Sequence, residues 1–171
     1  MRTTIEGFQH LESDEFDALL NAPALITILV GAADGDLDQE ERHWSERLMH
    51  TRAYNKPKEL NAFYRVVSEI FWVKLNGLLA ELPHDSAARC EVVAGQLAEL
   101  NAILAKLDPQ LGADLYKGFR GLAEETAKAS GGFLRIGAIS PEEAKWIKLP
   151  MLTPVVAPKG PVQREEETEE F

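Results

Sequence analysis

Read from the first residue, apolar positions recur at steps of three and four along almost the whole chain, and alternation at steps of two is missing. Ile5, Phe8 and Leu11 predict a lead-in arm, residues 1–12, that packs on a core. Ser13 is a good N-cap, with Asp14 and Glu15 in the first turn and Phe16, Leu19 and Leu20 as the apolar stripe. Pro23 either opens a second helix or kinks one long helix. Ala24–Ala33 is apolar on nearly every side, the mark of a buried helix, and Asp34-Gly35 ends it, with Gly35 expected in a left-handed turn.

A new helix opens at Asp38, whose side chain and that of Glu41 form the two arms of a capping box. Trp44 and Leu48 are expected to be its buried face, with Arg42, His43, Glu46 and Arg47 solvated. After the turn signal Asn55-Lys56-Pro57, a helix over Lys58–Leu82 carries Leu60, Phe63, Val67, Ile70, Phe71, Leu75, Leu78 and Leu79, with Gly77 as its weak point. Ser86 is expected to cap the next helix, with Arg89 where a capping box wants Glu. Cys90, Val93, Leu97, Leu100, Leu104 and Leu107 then form a narrow seam of the kind that faces a nearly antiparallel neighbour.

Asp108-Pro109 starts a helix lined by Leu111, Leu115, Phe119, Leu122 and Thr126, which Gly131-Gly132 stops. Ser140-Pro141-Glu142-Glu143 opens the last helix, where Trp146, Ile147 and Leu149 face inward and Pro150 ends it. The pattern predicts an all-α bundle of about six or seven helices over residues 13–150. Beyond it, Pro154, Pro158, Pro161 and the acidic run Glu165–Glu170 predict a flexible tail over residues 151–171, unless Val155 and Val156 dock on the body.

One stretch has a worn copy. In AADGDLDQEERHWSE and, about a hundred residues later, IGAISPEEAKW, Gly35 corresponds to Gly137, Leu37 to Ile139, Asp38 to Ser140, Glu40-Glu41 to Glu142-Glu143 and Trp44 to Trp146. The correspondence predicts two related halves, each turning into its outer helix through an acid-capped bend.

Composition narrows the class. The chain has 171 residues, 45% of them apolar, enough for one domain with a real core. Acidic residues number 28 against 18 basic, a net charge of -10. Such a field repels phosphate backbones, so nucleic acid is not an expected ligand, and it attracts cations and basic protein partners. A single cysteine, Cys90, excludes an internal disulfide and a cysteine-built zinc site. MRTTIEGFQH lacks the apolar run of a signal peptide, and no stretch has the length of a membrane span, so a cytoplasmic protein without integral membrane insertion is expected.

The candidate chemistry lies in the first bend. Asp34, Asp36 and Asp38 are hard oxygen ligands at alternate positions, and Glu41 follows one helical step later. Such spacing can converge on a divalent cation, with calcium, magnesium or manganese preferred over zinc. It is no EF-hand: position six of that count is Gln39 instead of Gly, and position twelve is Ser45 instead of a bidentate acid. Structural roles compete, because capping accounts for Asp38 and Glu41, and turn chemistry accounts for Asp34-Gly35. Three carboxylates this close still repel one another unless solvated or neutralised by a counter-ion. Glu142 and Glu143 are the weaker second candidate, since Ile136, Ala138 and Ser140 stand where the first bend has Asp.

With these residues in hand, the chain resembles the TerB-like tellurite-resistance family over about Asp14–Leu149. The likeness is carried by Ala33-Asp34-Gly35-Asp36-Leu37-Asp38-x-x-Glu41, a helical pair in the middle, Ala129-Ser130-Gly131-Gly132-Phe133-Leu134, and Ile139-Ser140-Pro141-Glu142-Glu143. The resemblance implies an all-helical fold of two related halves. It also implies an acidic surface that binds divalent cations, and a role in metal or oxyanion stress without catalysis. By position, Asp34, Asp38 and Glu41 match the first acidic motif and Glu143 the second.

Other chemistry is thinly represented. His10, His43, His50 and His84 are scattered, and the seven-residue gap between His43 and His50 is too long for a helical two-histidine metal pair. Cys90 sits on an apolar seam, and Ser130-Gly131-Gly132 has no lysine of a phosphate loop. No residues form a recognisable triad, and no organic cofactor motif is present. Trp44, Trp72 and Trp146 occupy helical core positions. Two functions fit: a non-catalytic cation-binding stress-response domain, or a metal-independent helical scaffold whose acidic tail or face binds a basic partner.

Overall fold

A computed structural model of the chain describes residues 4–33, 35–54, 56, 58–132 and 141–160, without the side chains of residues 58, 59, 131, 132, 142 and 143. Among the described residues the regular structure is entirely helical: α1 Ser13–Gly31, α2 Gln39–Arg52, α3 Lys58–Glu81, α4 Ser86–Ala98, α5 Leu100–Leu104, α6 Pro109–Gly132 and α7 Pro141–Ile147. The expected bundle is present. The bend before α7, with Ser140 and the loop preceding it, lies outside the described residues.

α1 is the hub, packing against α3, α4, α5, α6 and α7. Its composition explains this placement, because every residue from Ala22 to Gly31 is buried, and a helix with no polar side has to be surrounded. Pro23 does not divide it, and one continuous helix runs through. The Thr27 hydroxyl donates to the Pro23 carbonyl at 2.9 Å, one turn back. The cap lies one residue earlier than expected, at Glu12 instead of Ser13, and Glu15 Oε2 accepts from the Glu12 N–H at 3.0 Å. The arm before it packs as expected: Phe8 and Leu11 are buried, and Phe8 stacks on Phe63 and meets Phe16 edge-on. Gly7 turns the arm with φ +86°, and a Cβ there would lie 2.6 Å from Leu111 Cδ2.

The seam Cys90, Val93, Leu97, Leu100, Leu104 and Leu107 is buried along its whole length, although the helix breaks at Glu99 between α4 and α5. The stripe of α6, from Leu111 to Thr126, is also buried as expected. The face of α2 is not the expected one. Ser45, Met49 and Arg52 are buried, whereas Trp44 and Leu48 are only half-buried. Trp72 is half-buried as well, and Trp146 alone of the three tryptophans lies in the core. Arg52 takes the buried face because two of its hydrogen-bond partners, the Tyr64 hydroxyl and the Gly118 carbonyl, are buried.

Arg52 Nη1 donates to the Gly118 carbonyl at 2.9 Å and to the Tyr64 hydroxyl at 3.4 Å, and Nη2 pairs with Glu125 at 3.0 Å. One guanidinium thus ties α2 to α3 and α6. Burial pushes the Tyr64 phenol above its ordinary value of 10.0, with the nearby Arg52 charge opposing. Gly118 makes the room: a Cβ there would lie 2.9 Å from the Tyr64 hydroxyl oxygen.

The chain after α7 does not leave the body at once. Leu149, at φ 47°, turns it, and Leu149 and Leu152 are buried. Asn101 clamps the next residues, donating from Nδ2 to the Met151 carbonyl at 2.9 Å and accepting the Thr153 N–H at 2.7 Å. Val155 packs over Gly112, while Val156 is 81% exposed. The start of the expected tail is therefore a docked strap, because Asn101 supplies its backbone with the partners that water would otherwise supply.

Three expected outcomes follow from this packing. Gly118→Ala should destabilise the fold by about 1–3 kcal/mol through overpacking. Gly77→Ala, where an added Cβ meets nothing within 4 Å, should stabilise it by about 0.5–1 kcal/mol. Urea melts of both variants check the opposite signs. A third outcome concerns pH. Lys106 donates to Glu15, and with the Glu12 N–H it holds the Glu15 carboxyl below its ordinary 4.5. A depressed folded pKa stabilises above the unfolded value, and that stabilisation is lost as pH falls through the folded one. Glu15→Gln should therefore be less stable than wild type at neutral pH, with the gap closing below about pH 4 in melts across an acid series.

Candidate functional site: the acidic turn between α1 and α2

The turn begins where α1 runs out of internal hydrogen bonds. The last carbonyls of a helix have no partner within it, and its C-terminus carries a partial negative charge. A left-handed glycine at Gly35 was the expected solution. Gly35 does not take it: among the described glycines only Gly7 has positive φ. The Gly35 N–H closes the turn by donating to the C-cap carbonyl of Ala32 at 3.3 Å, and a side chain from another helix joins it there. Arg89 Nη2 donates to the Ala32 carbonyl at 2.9 Å and also to the Gly35 carbonyl. Its Nη1 reaches the His84 and Pro83 carbonyls at 3.3 and 3.5 Å. The Arg89 side chain is 4% exposed. Asp36 Oδ1 lies 3.7 Å from Nη1 on a side chain that is 92% exposed.

Between Gly35 and α2 the chain has no regular structure, Asp38 is extended at φ -75° and ψ 172°, and exposure alternates from residue to residue. Asp36 and Asp38 are exposed, and Leu37 between them is buried. Gly31 admits Leu37: a Cβ on Gly31 would lie 2.6 Å from Leu37 Cδ2 and 3.3 Å from Thr126 Cγ2. Burying that leucine contributes about 1.5–3 kcal/mol and fixes which way the acids point. The capping box is formed as expected: Asp38 Oδ1 accepts from the Glu41 N–H at 2.8 Å, and Glu41 Oε2 accepts from the Asp38 N–H at 2.8 Å. Arg42, expected to be solvated, is half-buried and closes the turn from the other side, donating to the Leu37 carbonyl at 3.1 Å and to Asn76 Oδ1 at 3.2 Å.

Of the candidate ligands, Asp36, Asp38 and Glu41 are thus placed in one turn, with the last two joined by capping. Asp34 and the side chains of Glu142 and Glu143 lie outside the described residues. Among the described residues, no three His, Cys, Asp or Glu side chains gather in a metal-ligating arrangement. Each of the four histidines is exposed. His10 donates to the Lys106 carbonyl at 2.8 Å, and His43 lies 5.3 Å from Trp72, ring to ring. Cys90 is buried, and that burial raises its thiol pKa above the ordinary 9.0, which suits packing and not nucleophilic attack.

Sequence reasoning missed Arg89 as the central group of this site. One signal was legible: an arginine three residues after a Ser, in the first turn of a helix, where a carboxylate is favoured by the dipole. Its own cap is Asp85, one residue before the expected Ser86, with Oδ2 accepting from the Ala88 N–H at 2.8 Å. An arginine in that place has a reason outside its own helix.

No protein-family model, curated protein or solved structure matches this chain. The TerB-like resemblance therefore rests on the residues that carry it.

Asp38→Ala should cost about 1 kcal/mol through loss of the cap, whereas Asp36→Asn should change stability little. Chemical denaturation with and without a chelator checks both, and the Asp38→Ala cost should be the same in each condition.

Proposed function

We infer that this chain is a non-catalytic, TerB-like helical module that acts by presenting an acidic surface to a basic protein partner, and that its first acidic bend needs no metal to hold its shape. The resemblance supplies the setting, a response to metal or oxyanion stress. The observation that carries the reading is the Arg89 guanidinium, which lies against the Ala32 and Gly35 carbonyls and 3.7 Å from Asp36. It provides a counter-charge beside Asp36 in the acidic turn. Asp38 and Glu41 bind each other's backbone, a sufficient role without a cation. The net charge of -10 and the acidic run Glu165–Glu170 favour a basic partner.

A second reading, a divalent-cation site at the same turn, is favoured by the exposed carboxylates of Asp36 and Asp38 on its outer side. Hard oxygens of this kind suit calcium, magnesium or manganese.

Thermal melting separates the two. A cation at a hundred times its dissociation constant adds about 2.7 kcal/mol to the folded state. The scaffold reading expects millimolar calcium, magnesium or manganese to shift wild type and the Asp36→Asn/Asp38→Asn variant equally, by no more than sodium chloride of matched ionic strength. A shift present in wild type and lost in the variant favours the cation site. The scaffold reading further expects a Lys/Arg-rich peptide to bind the full chain indifferently to chelator. Binding should weaken on truncation after Gly160, which leaves the docked strap intact.

A further inference from the structure

We propose that Arg89 is a resident substitute for a metal ion: its guanidinium performs at the α1–α2 bend the cross-linking that a divalent cation performs in an acidic loop. The proposal rests on the metal-independent reading of that bend. A bound divalent cation in such a loop does three things. It collects backbone carbonyls, it neutralises carboxylates, and it ties the loop to whatever else supplies a ligand. Arg89 does each of these. It takes the carbonyls of Ala32 and Gly35, it stands 3.7 Å from the Asp36 carboxylate, and it draws the loop carbonyls of Pro83 and His84 to the same point.

The guanidinium is suited to this role because its planar fork distributes one charge over several donors, so it serves oxygens arriving from two chain segments at once. It is buried beside the C-terminal end of α1, where the helix dipole adds to its stabilisation. Lysine, a single charge point, can serve fewer of these oxygens. A cation brought to the same carbonyls meets a positive charge already there, and like charges this close in a partly buried place repel strongly. Guanidinium and metal therefore exclude one another at this bend, and Arg89 makes the wild-type chain indifferent to divalent cations.

Removing the guanidinium should expose a latent cation dependence. Arg89→Met keeps much of the apolar stem and removes the guanidinium from the Gly35, Pro83 and His84 carbonyls and from Asp36, leaving Ala32 with the Gly35 N–H alone. Its Tm is expected to fall by about 10 °C. Millimolar calcium or manganese should recover about half of that loss, while sodium chloride of equal ionic strength should not. The triple variant Arg89→Met/Asp36→Asn/Asp38→Asn should show no recovery. Arg89→Lys should lie between wild type and Arg89→Met and gain nothing from the cations.

Arg89→Met melting with wild type would overturn the proposal, and so would a lowered Tm that neither cation raises. Should Arg89→Met not fold, its recovery by refolding in millimolar calcium or manganese, followed by far-ultraviolet circular dichroism, gives the same test, and failure in both cations counts against the proposal. A cation shift in the wild-type chain, by contrast, defeats the metal-independent reading itself. The two failures are read from different proteins.

Discussion

The structure depends on how the end of its central helix is closed. α1 is buried from Ala22 to Gly31, so its last carbonyls emerge among other helices and not into water. A buried carbonyl without a partner costs about 1–3 kcal/mol, and a negative helix terminus beside an acidic turn adds repulsion. The Gly35 N–H meets part of the first demand at Ala32, and Arg89 meets the rest of it and the second, its donors accepted by Ala32 and Gly35 on one side and by the loop before α4 on the other. Once it is in place, Leu37 can plug the gap over Gly31, the acids on either side of it are turned outward, and α2 starts from a fixed cap.

A second buried guanidinium repeats the logic at the far end of α2. Arg52 joins Tyr64, the Gly118 carbonyl and Glu125, and so fixes the roll of α2 against α3 and α6. Buried arginines of this kind are a weak source of net stability, because desolvation offsets much of the attraction, but removing the cation strands several partners. They act here as alignment devices. The acidic surface is then organised by cations from within the fold, which is why a chain of charge -10 can place carboxylates beside a helix terminus.

Much of this architecture was legible in the residues. The helices, the seam from Cys90 to Leu107, the stripe of α6 and the capping box of Asp38 and Glu41 follow from spacing alone. The misreadings share one form. Trp44 was expected inward because it is apolar, and Gly35 left-handed because glycine follows a helix; both rules are local, and both yielded to an arginine with distant partners. The start of the tail is expected to be free unless Val155 and Val156 dock; Val155 packs on the core, Val156 is exposed, and Asn101 supplies the backbone with hydrogen bonds. The half of the comparison that concerns the second bend falls on residues outside those described.

The division has a physical basis in chain separation. Capping, helical periodicity and turn chemistry act across three or four residues, as between Asp38 and Glu41, so the order of residues suffices to read them. The contacts that shape the acidic turn act across far longer separations: Arg89 lies 57 residues from Ala32, and Arg52 lies 66 from Gly118. Nothing in the neighbourhood of either arginine names its acceptors. Packing of the helices brings them together, and from that packing comes the closure of the bend by an arginine of another helix.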